Sequence, residues 1–176
     1  MELIGERLKL RPLMKHDANE LYNNAKDLEI SKYTTLPYPY KLNHAEEFII
    51  ESNKKILKKE NYELGIELLK TRTIIGMMSL IDLDYDNKNS EIGYWLGKKY
   101  WRKKLAKEAI KLILNYGFNE LKLERIYARV MSPNISSAKL LESVGFIYEG
   151  RSRKASFRKG KWMDDLRYGL LREEFF

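Results

Sequence analysis

The sequence predicts a single α+β domain of 176 residues, with about seven strands in one mixed, mostly antiparallel sheet and about four helices packed on it. Strand-like runs rich in β-branched and aromatic residues dominate the centre and the end of the chain. Helix-like runs, with apolar residues three and four positions apart, stand before and between them. There is no internal repeat, low-complexity tract or linker-like stretch, so residues 1–176 are expected to fold as one domain.

The first third of the chain predicts one strand and two helices. The alternating run ERLKLRPL is expected to form a strand that stops at its proline. Asp17 is expected to cap a helix that ends near Ala25. After the Pro- and Tyr-rich loop TTLPYPYKLN, a second helix is expected from Asn43 or His44 to about Lys59.

The rest of the chain alternates between strands and helices. The runs YELGIELL, TIIGMMSLIDLD and SEIGYWL predict an antiparallel meander with turns at KTR and YDNKNS. The next helix is expected to carry one apolar stripe, formed by Leu105, Ala109, Leu112, Ile113 and Tyr116. RIYARVM predicts a strand, and Asn134 and Gly145 delimit a short helix. Two final strands are expected to flank the turn RKGKW as a hairpin.

The composition excludes several kinds of site. The chain has no cysteine, which rules out disulfides, zinc–thiolate sites and a cysteine nucleophile. Its 2 histidines, His16 and His44, are far apart in the sequence, so no metal site is expected. The N-terminus carries charges instead of an apolar leader, and no uncharged run is long enough to cross a bilayer. These features predict a soluble, cytoplasmic protein with no membrane partner.

The formal net charge of +8 suggests an anionic partner such as nucleic acid, a polyphosphate cofactor or an acidic protein, although such a charge also serves solubility. Two basic clusters stand out, Lys98 to Lys107 and Arg151 to Lys161. The first lies where a strand gives way to a helix, and helix N-termini bind phosphate through unpaired N–H groups. Such loops usually contain glycine, whereas Arg102, Lys103 and Lys104 fill this turn. The turn is therefore either a phosphate cradle or only a basic surface.

The order of elements and four motifs resemble the GNAT acetyltransferases, and most of all the RimJ/RimL type of ribosomal-protein N-terminal acetyltransferases. The motifs are GERLKLRPL, SEIGYWLGKKYW with AKEAI, NISSAKLLESVGF and RKGKWMDDLRYGLLREEF, and the similarity runs from about Leu8 to Glu174. The resemblance implies one N-acetyltransferase domain that uses acetyl-CoA as co-substrate and acetylates a primary amine. The acceptor would be a protein N-terminus, with ribosome association, or a small molecule such as a polyamine, amino acid or aminoglycoside.

The resemblance also implies where acetyl-CoA binds. The site would lie between the strands 90–97 and 125–131, which splay apart in this fold, so that backbone groups of Tyr94, Trp95 and Leu96 pair with the pantetheine arm. The diphosphate would sit on N–H groups at the start of the following helix. Further contacts with the coenzyme are implied at Trp101, Arg102, Lys103, Lys104, Leu105, Ala106, Asn134 and Ser137.

The phosphate turn departs from the family pattern. The usual signature has the form Q/R-x-x-G-x-G/A, commonly WGKGYA in the RimJ/RimL type, and this chain has WRKKLA. Ala106 matches, but Arg102 and Lys104 stand where glycines usually do. An αR-like turn would hold these side chains without strain, so the phosphate site is expected to survive with help from their charge. The alternative is a dead site in a non-catalytic GNAT-fold module that binds nucleic acid or a nucleotide.

Glu91 is the candidate general base, because its position matches the glutamate that acts as base in many GNAT enzymes. Glu91, Gly93 and Trp95 share one face of a strand, so the carboxylate would look over an empty position that leaves room for a substrate. The backbone N–H of Trp95 or Leu96 would stabilise the oxyanion. The alternatives are a solvated strand-end glutamate and, at Gly93, a bulge or a close packing site.

The acid for the departing thiolate is not a tyrosine at the position where many GNAT enzymes place one, because Leu141 stands there. Ser137 matches a serine that takes part in the RimJ/RimL type, and is otherwise an ordinary first-turn helix serine. Asn134 contacts the coenzyme arm, caps the helix, or does both.

The acceptor side is expected to be walled by the loop KYTTLPYPY, through Tyr33, Leu36, Tyr38 and Tyr40, with Trp162 closing the opposite side. Core packing is the alternative for each of these aromatic side chains. The segment REEFF suggests a last strand that pairs between subunits, which would make the protein a homodimer.

Overall fold

Eight strands form one sheet, in the order β1-β2-β3-β4-β5-β6-β8-β7, in the computed structural model, which describes residues 1–175. The strands are β1 (Leu3–Ile4), β2 (Leu8–Arg11), β3 (Tyr62–Leu68), β4 (Ile74–Asp84), β5 (Asn89–Leu96), β6 (Arg125–Met131), β7 (Ile147–Arg158) and β8 (Lys161–Leu171). The helices are α1 (Ala18–Ala25), α2 (Leu28–Ser31), α3 (Leu42–Leu57), α4 (Leu105–Asn115) and α5 (Ile135–Glu142). Neighbouring strands are antiparallel except for β5 and β6, which are parallel. The predicted α+β fold with a mixed, mostly antiparallel sheet is confirmed.

The differences from the predicted elements are confined to short segments. β1 has two residues and α2 has four, too few for a period of 2 or 3.6 to show in the sequence. Residues Arg172–Glu174 form a 3₁₀ turn, so the expected last strand in REEFF is wrong for the residues described, and Phe176 lies outside them.

The sheet separates two apolar clusters. Met78 packs among the buried side chains of α4, whereas its neighbour Met77 belongs to a cluster with α1 and α3. Successive residues of a strand point to opposite faces of the sheet, so α4 covers one face while α1 and α3 cover the other. In the stretch from residue 1 to 175, no helix combines the length and the apolar character that crossing a membrane requires.

A buried ion network joins β2 to the start of α1. The guanidinium of Arg11 donates to Asp17 through Nη1 at 2.7 Å and Nη2 at 3.0 Å, and to Glu67 through Nε at 2.5 Å. Asp17 also accepts the backbone N–H of Met14 at 2.6 Å. Its side chain makes no capping hydrogen bond to α1, so the predicted cap is wrong, because the carboxylate oxygens bind Arg11 and Met14 instead.

Candidate active site

β5 and β6 diverge in the middle of the sheet. They pair only through residues 89–91 and 125–127, and no pairing continues beyond these residues. Tyr94, Trp95 and Leu96 therefore have no strand beside them on the β6 side, which leaves backbone groups available to a ligand. The carbonyl of Leu96 is already in use, because it accepts the indole N–H of Trp101 at 2.7 Å. This bond ties the turn before α4 to the end of β5.

A cavity of about 340 Å³ opens at this divergence. It brings together predicted site residues from three separate segments of the chain. Those from β5, from α5 with its N-cap, and from the loop that follows α2 are Glu91, Gly93, Tyr94, Trp95, Asn134, Ser137, Tyr33, Leu36 and Tyr40. Arg129 of β6 and Glu63 of β3 also line the cavity, and neither was predicted from the sequence. Both alternate with apolar residues along a strand, and this pattern predicts which face a side chain is on but not whether it belongs to a site.

Glu91 is buried, with 6% of its surface exposed, so a solvated strand-end glutamate is wrong. Arg129 donates from Nε to Oε1 at 2.9 Å. Nη2 of Arg129 also lies 2.5 Å from Oε2, so one guanidinium contacts both oxygens of the carboxylate. Each carboxylate oxygen has two lone pairs, so Glu91 keeps acceptor capacity beyond its contacts with Arg129.

Gly93 leaves open space beside Glu91. A Cβ built on Gly93 would meet no heavy atom within 4 Å, and Gly93 pairs with Ser79 of β4 without a break in register. Close packing and a bulge are therefore both wrong as reasons for this glycine, whereas the predicted empty position is confirmed.

Replacing Gly93 should fill this space without harming the fold. We expect Gly93→Val to keep the melting temperature within a few degrees, because valine suits a strand and nothing occupies its volume. We expect kcat/KM for the amine to fall about 10- to 100-fold, because a small displacement of the acceptor disrupts its alignment. Steady-state kinetics of the series Gly93→Ala and Gly93→Val checks this. An unchanged rate in both variants would mean that the acceptor does not pass over Gly93.

The hydroxyl groups of Tyr94 and Ser137 lie 2.8 Å apart beside the cavity. Burial raises the pKa of Tyr94 to about 12, and the bond with Ser137 opposes this only in part. Tyr94 therefore keeps its proton at neutral pH. Asn134 accepts the backbone N–H of Ser137 at 3.3 Å, so its predicted capping role is confirmed. For Tyr94 only a backbone contact was expected from the sequence, and a role of its hydroxyl was not predicted.

The turn before α4 keeps a glycine-like backbone without glycine. Arg102 and Lys104 both have a φ of +60°, the left-handed region that favours glycine, so the expected αR-like turn is wrong. Each left-handed residue costs roughly 1–2 kcal/mol relative to right-handed backbone. Two of nine such non-glycine residues in the described chain lie here, so the protein tolerates this conformation. The side chains of Arg102, Lys103 and Lys104 are exposed, and α4 begins at Leu105, followed by Ala106, where N–H groups lack helical partners.

The aromatic residues of the acceptor side divide into two groups. Tyr33, Leu36 and Tyr40 line the cavity, although Tyr40 also belongs to the apolar core under α1 and α3. Tyr38 lines a separate cavity nearby. Trp162 is 60% exposed and packs on Phe157, with ring centroids 4.9 Å apart, outside the main cavity. Its expected place opposite the acceptor loop is wrong, because it points out from the β7–β8 hairpin.

Comparisons with known proteins agree with this geometry. Residues 7–147 match the family model described as acetyltransferase (GNAT) domain. The uncharacterized N-acetyltransferase p20 of Bacillus licheniformis is 34% identical over 173 residues, which cover 98% of this chain and 97% of that protein. The crystal structure of spermidine N-acetyltransferase from Vibrio cholerae in complex with CoA and spermine is similar with a TM-score of 0.83 and 26% identity, over 97% of this chain and 98% of that one.

The ribosomal-protein-S5-alanine acetyltransferase of Vibrio fischeri is similar with a TM-score of 0.88, over 100% of this chain and 99% of that one. Its identity of 18% shows a shared fold alone. The match to the family model covers most of the chain, and the relative from Bacillus licheniformis covers nearly all of it. The chain therefore belongs to the GNAT family and is an N-acetyltransferase that takes its acetyl group from acetyl-CoA.

Proposed function

We propose that the cavity holds a primary amine for direct attack on acetyl-CoA, with Glu91 as the general base. The observation that carries this proposal is the buried carboxylate of Glu91, which lines the cavity two residues from the open position at Gly93. An amine must lose a proton to attack a thioester, and a carboxylate can take it directly or through a water. Arg129 contacts both oxygens of Glu91 and so orients the group.

The coenzyme is proposed to lie along the free edge of β5, with its diphosphate at the start of α4. Backbone groups of Tyr94 and the N–H of Leu96 on the β6 side would pair with the pantetheine arm, since the carbonyl of Trp95 lies against Gly76 of β4. N–H groups of Leu105 and Ala106, together with the exposed basic side chains before them, would bind the diphosphate. The hydroxyl pair of Tyr94 and Ser137 would then supply the proton for the departing thiolate.

The acceptor is proposed to carry more than one N–H donor. Glu63 is 7% exposed and lines the same cavity as Glu91, and its Oε2 lacks a donor within residues 1–175. Its other oxygen is paired with Lys55 at 3.2 Å. Two buried carboxylates in one cavity fit a diamine such as a polyamine, and they also fit a RimJ/RimL-type acceptor, a protein N-terminus whose first peptide N–H follows the amine.

A calorimetric titration with acetyl-CoA at two salt concentrations tests the coenzyme site. We expect saturable one-to-one binding that weakens only modestly with salt, because few charges are neutralised. Absence of binding at both concentrations would overturn the proposed site. A parallel assay of acetyl transfer to spermidine and to a short peptide with a free N-terminus would separate the two acceptor classes.

Glu63→Gln is expected to reduce the preference for diamines. We expect the ratio of kcat/KM for 1,4-diaminobutane to that for butylamine to fall about tenfold, because the amide keeps the size of the side chain but loses the charge that a second ammonium needs. The monoamine serves as the control within the same variant. An unchanged ratio would mean that the second donor of the acceptor does not reach Glu63.

A further inference from the structure

We propose that Arg7 is a positioning residue that holds the turn before α4 in its phosphate-binding shape and so replaces the missing glycines. This inference rests on the proposed place of the diphosphate at the start of α4. Arg7 lies in the short connection between β1 and β2, about a hundred residues away in sequence from the turn that it contacts. Nothing in the local pattern of either segment predicts this contact.

The guanidinium of Arg7 spans the turn. Nη1 donates to the carbonyl of Lys103 at 3.1 Å, and Nη2 donates to the carbonyl of Lys104 at 3.4 Å. Nε donates to Oε2 of Glu108 at 2.8 Å, and the backbone N–H of Arg7 donates to Oε1 at the same distance. One arginine therefore binds two consecutive carbonyls of the turn and a carboxylate in the first turn of α4.

These bonds also determine where the N–H groups of the turn point. A trans peptide is planar, and its C=O and its N–H point in opposite directions. The carbonyls of Lys103 and Lys104 accept from Arg7, and that of Lys104 also accepts the N–H of Glu108 at 3.3 Å, so the N–H groups of Lys104 and Leu105 point away from Arg7 and toward the opposite side of the turn. These are donors at the helix N-terminus that a diphosphate would use.

Glu108 holds Arg7 in turn. Its carboxylate accepts hydrogen bonds from both the Nε–H and the backbone N–H of Arg7, which fixes the main chain and the guanidinium of Arg7. The approach is close, since a Cβ on Gly5 would lie 2.8 Å from Oε1 of Glu108. Gly5 thus lies against the contact between Arg7 and Glu108, while no glycine is present in the turn that Arg7 contacts. The left-handed residues Arg102 and Lys104 can persist because the surrounding contacts over-determine them.

The test compares two acetyl donors in the variant Arg7→Met. Acetyl-CoA carries the diphosphate, whereas S-acetyl-pantetheine ends before it. We expect KM for acetyl-CoA to rise about tenfold, equivalent to about 1.4 kcal/mol, with kcat within about twofold and KM for S-acetyl-pantetheine unchanged.

Lys9→Met on the neighbouring strand is the control, because it also removes one positive charge. Its KM for both donors should stay as in the unmodified protein. Arg7→Lys keeps the charge but cannot bind both carbonyls, so its KM values should change as those of Arg7→Met do. It replaces Arg7→Met in the test if that variant folds poorly.

A second substitution provides a rescue. Adding Lys104→Gly to Arg7→Met should recover at least threefold of the lost affinity for acetyl-CoA, because glycine adopts φ above zero without a side-chain penalty. Equal effects of Arg7→Met on both donors, or no rescue by glycine, would overturn the role of Arg7. Equal KM values for the two donors in the unmodified protein would instead overturn the proposed place of the diphosphate, and the role of Arg7 with it.

Discussion

Replacing Glu91 by glutamine is expected to lower kcat by about 10²- to 10⁴-fold while the affinity for acetyl-CoA stays within about twofold. Glutamine has nearly the same shape, and its amide oxygen can still accept the Nε–H of Arg129, while its NH2 group replaces Oε2 beside Nη2. The amide cannot take a proton from the attacking amine. The loss therefore falls on the chemical step and not on binding of the coenzyme.

Steady-state kinetics and calorimetric titration of the same preparation check this expectation. Glu149→Gln is the matched control, because Glu149 is also paired with an arginine, Arg125 at 2.5 Å, and does not line the cavity. The control should turn over at the rate of the unmodified protein. A Glu91→Gln variant with full activity would show that another group removes the proton of the amine, and the assignment of the base would then be wrong.

Arg11→Met is expected to lower the free energy of unfolding by about 3–5 kcal/mol. Arg11, Asp17 and Glu67 are all nearly inaccessible to solvent. Within residues 1–175, the guanidinium of Arg11 is the only group that binds both carboxylates, and its three hydrogen bonds to them are 3.0 Å or shorter. Removing it leaves Asp17 without the guanidinium and Glu67 with only the ammonium of Lys9, at 3.6 Å. Exposed pairs do not have this effect, so the charge-matched control is Lys54→Met at an exposed pair with Glu51, which should change stability by less than about 1 kcal/mol.

The same network predicts a dependence on pH. Burial raises the pKa of Asp17, but the hydrogen bonds from Arg11 and Met14 outweigh it, and the pKa lies below its usual range. A lowered folded-state pKa contributes stability above the unfolded value of about 4, and this contribution is lost as pH falls through the folded value. Urea denaturation at neutral pH and at progressively lower pH should therefore show the deficit of Arg11→Met shrinking as the pH falls below about 4. If the difference in free energy of unfolding between Arg11→Met and the unmodified protein stays constant over this range, the loss of stability does not come from the carboxylates.

Part of the candidate site could be predicted from the sequence. The position of Glu91 on a strand, followed by a glycine on the same face, predicted a carboxylate beside an open space, and Asn134 predicted a helix cap. Both inferences depend on neighbours within three residues, where strand and helix geometry determine what lies next to what. The hydroxyl of Tyr94 was missed for the same reason, since its partner Ser137 is on another element.

The sequence by itself determined the strands β2 to β8 and the longer helices, because alternation and helical periodicity report which face of each segment is buried. It also determined which chemistry is absent, since a chain without cysteine offers no thiolate. The tertiary structure alone decided the pairing of Glu91 with Arg129, the outward position of Trp162 and the left-handed turn held by Arg7. Each of these depends on contacts between residues far apart in the chain, and Arg7 and Glu108 are 101 positions apart. The periodicity of a single strand or helix cannot predict a contact over that separation.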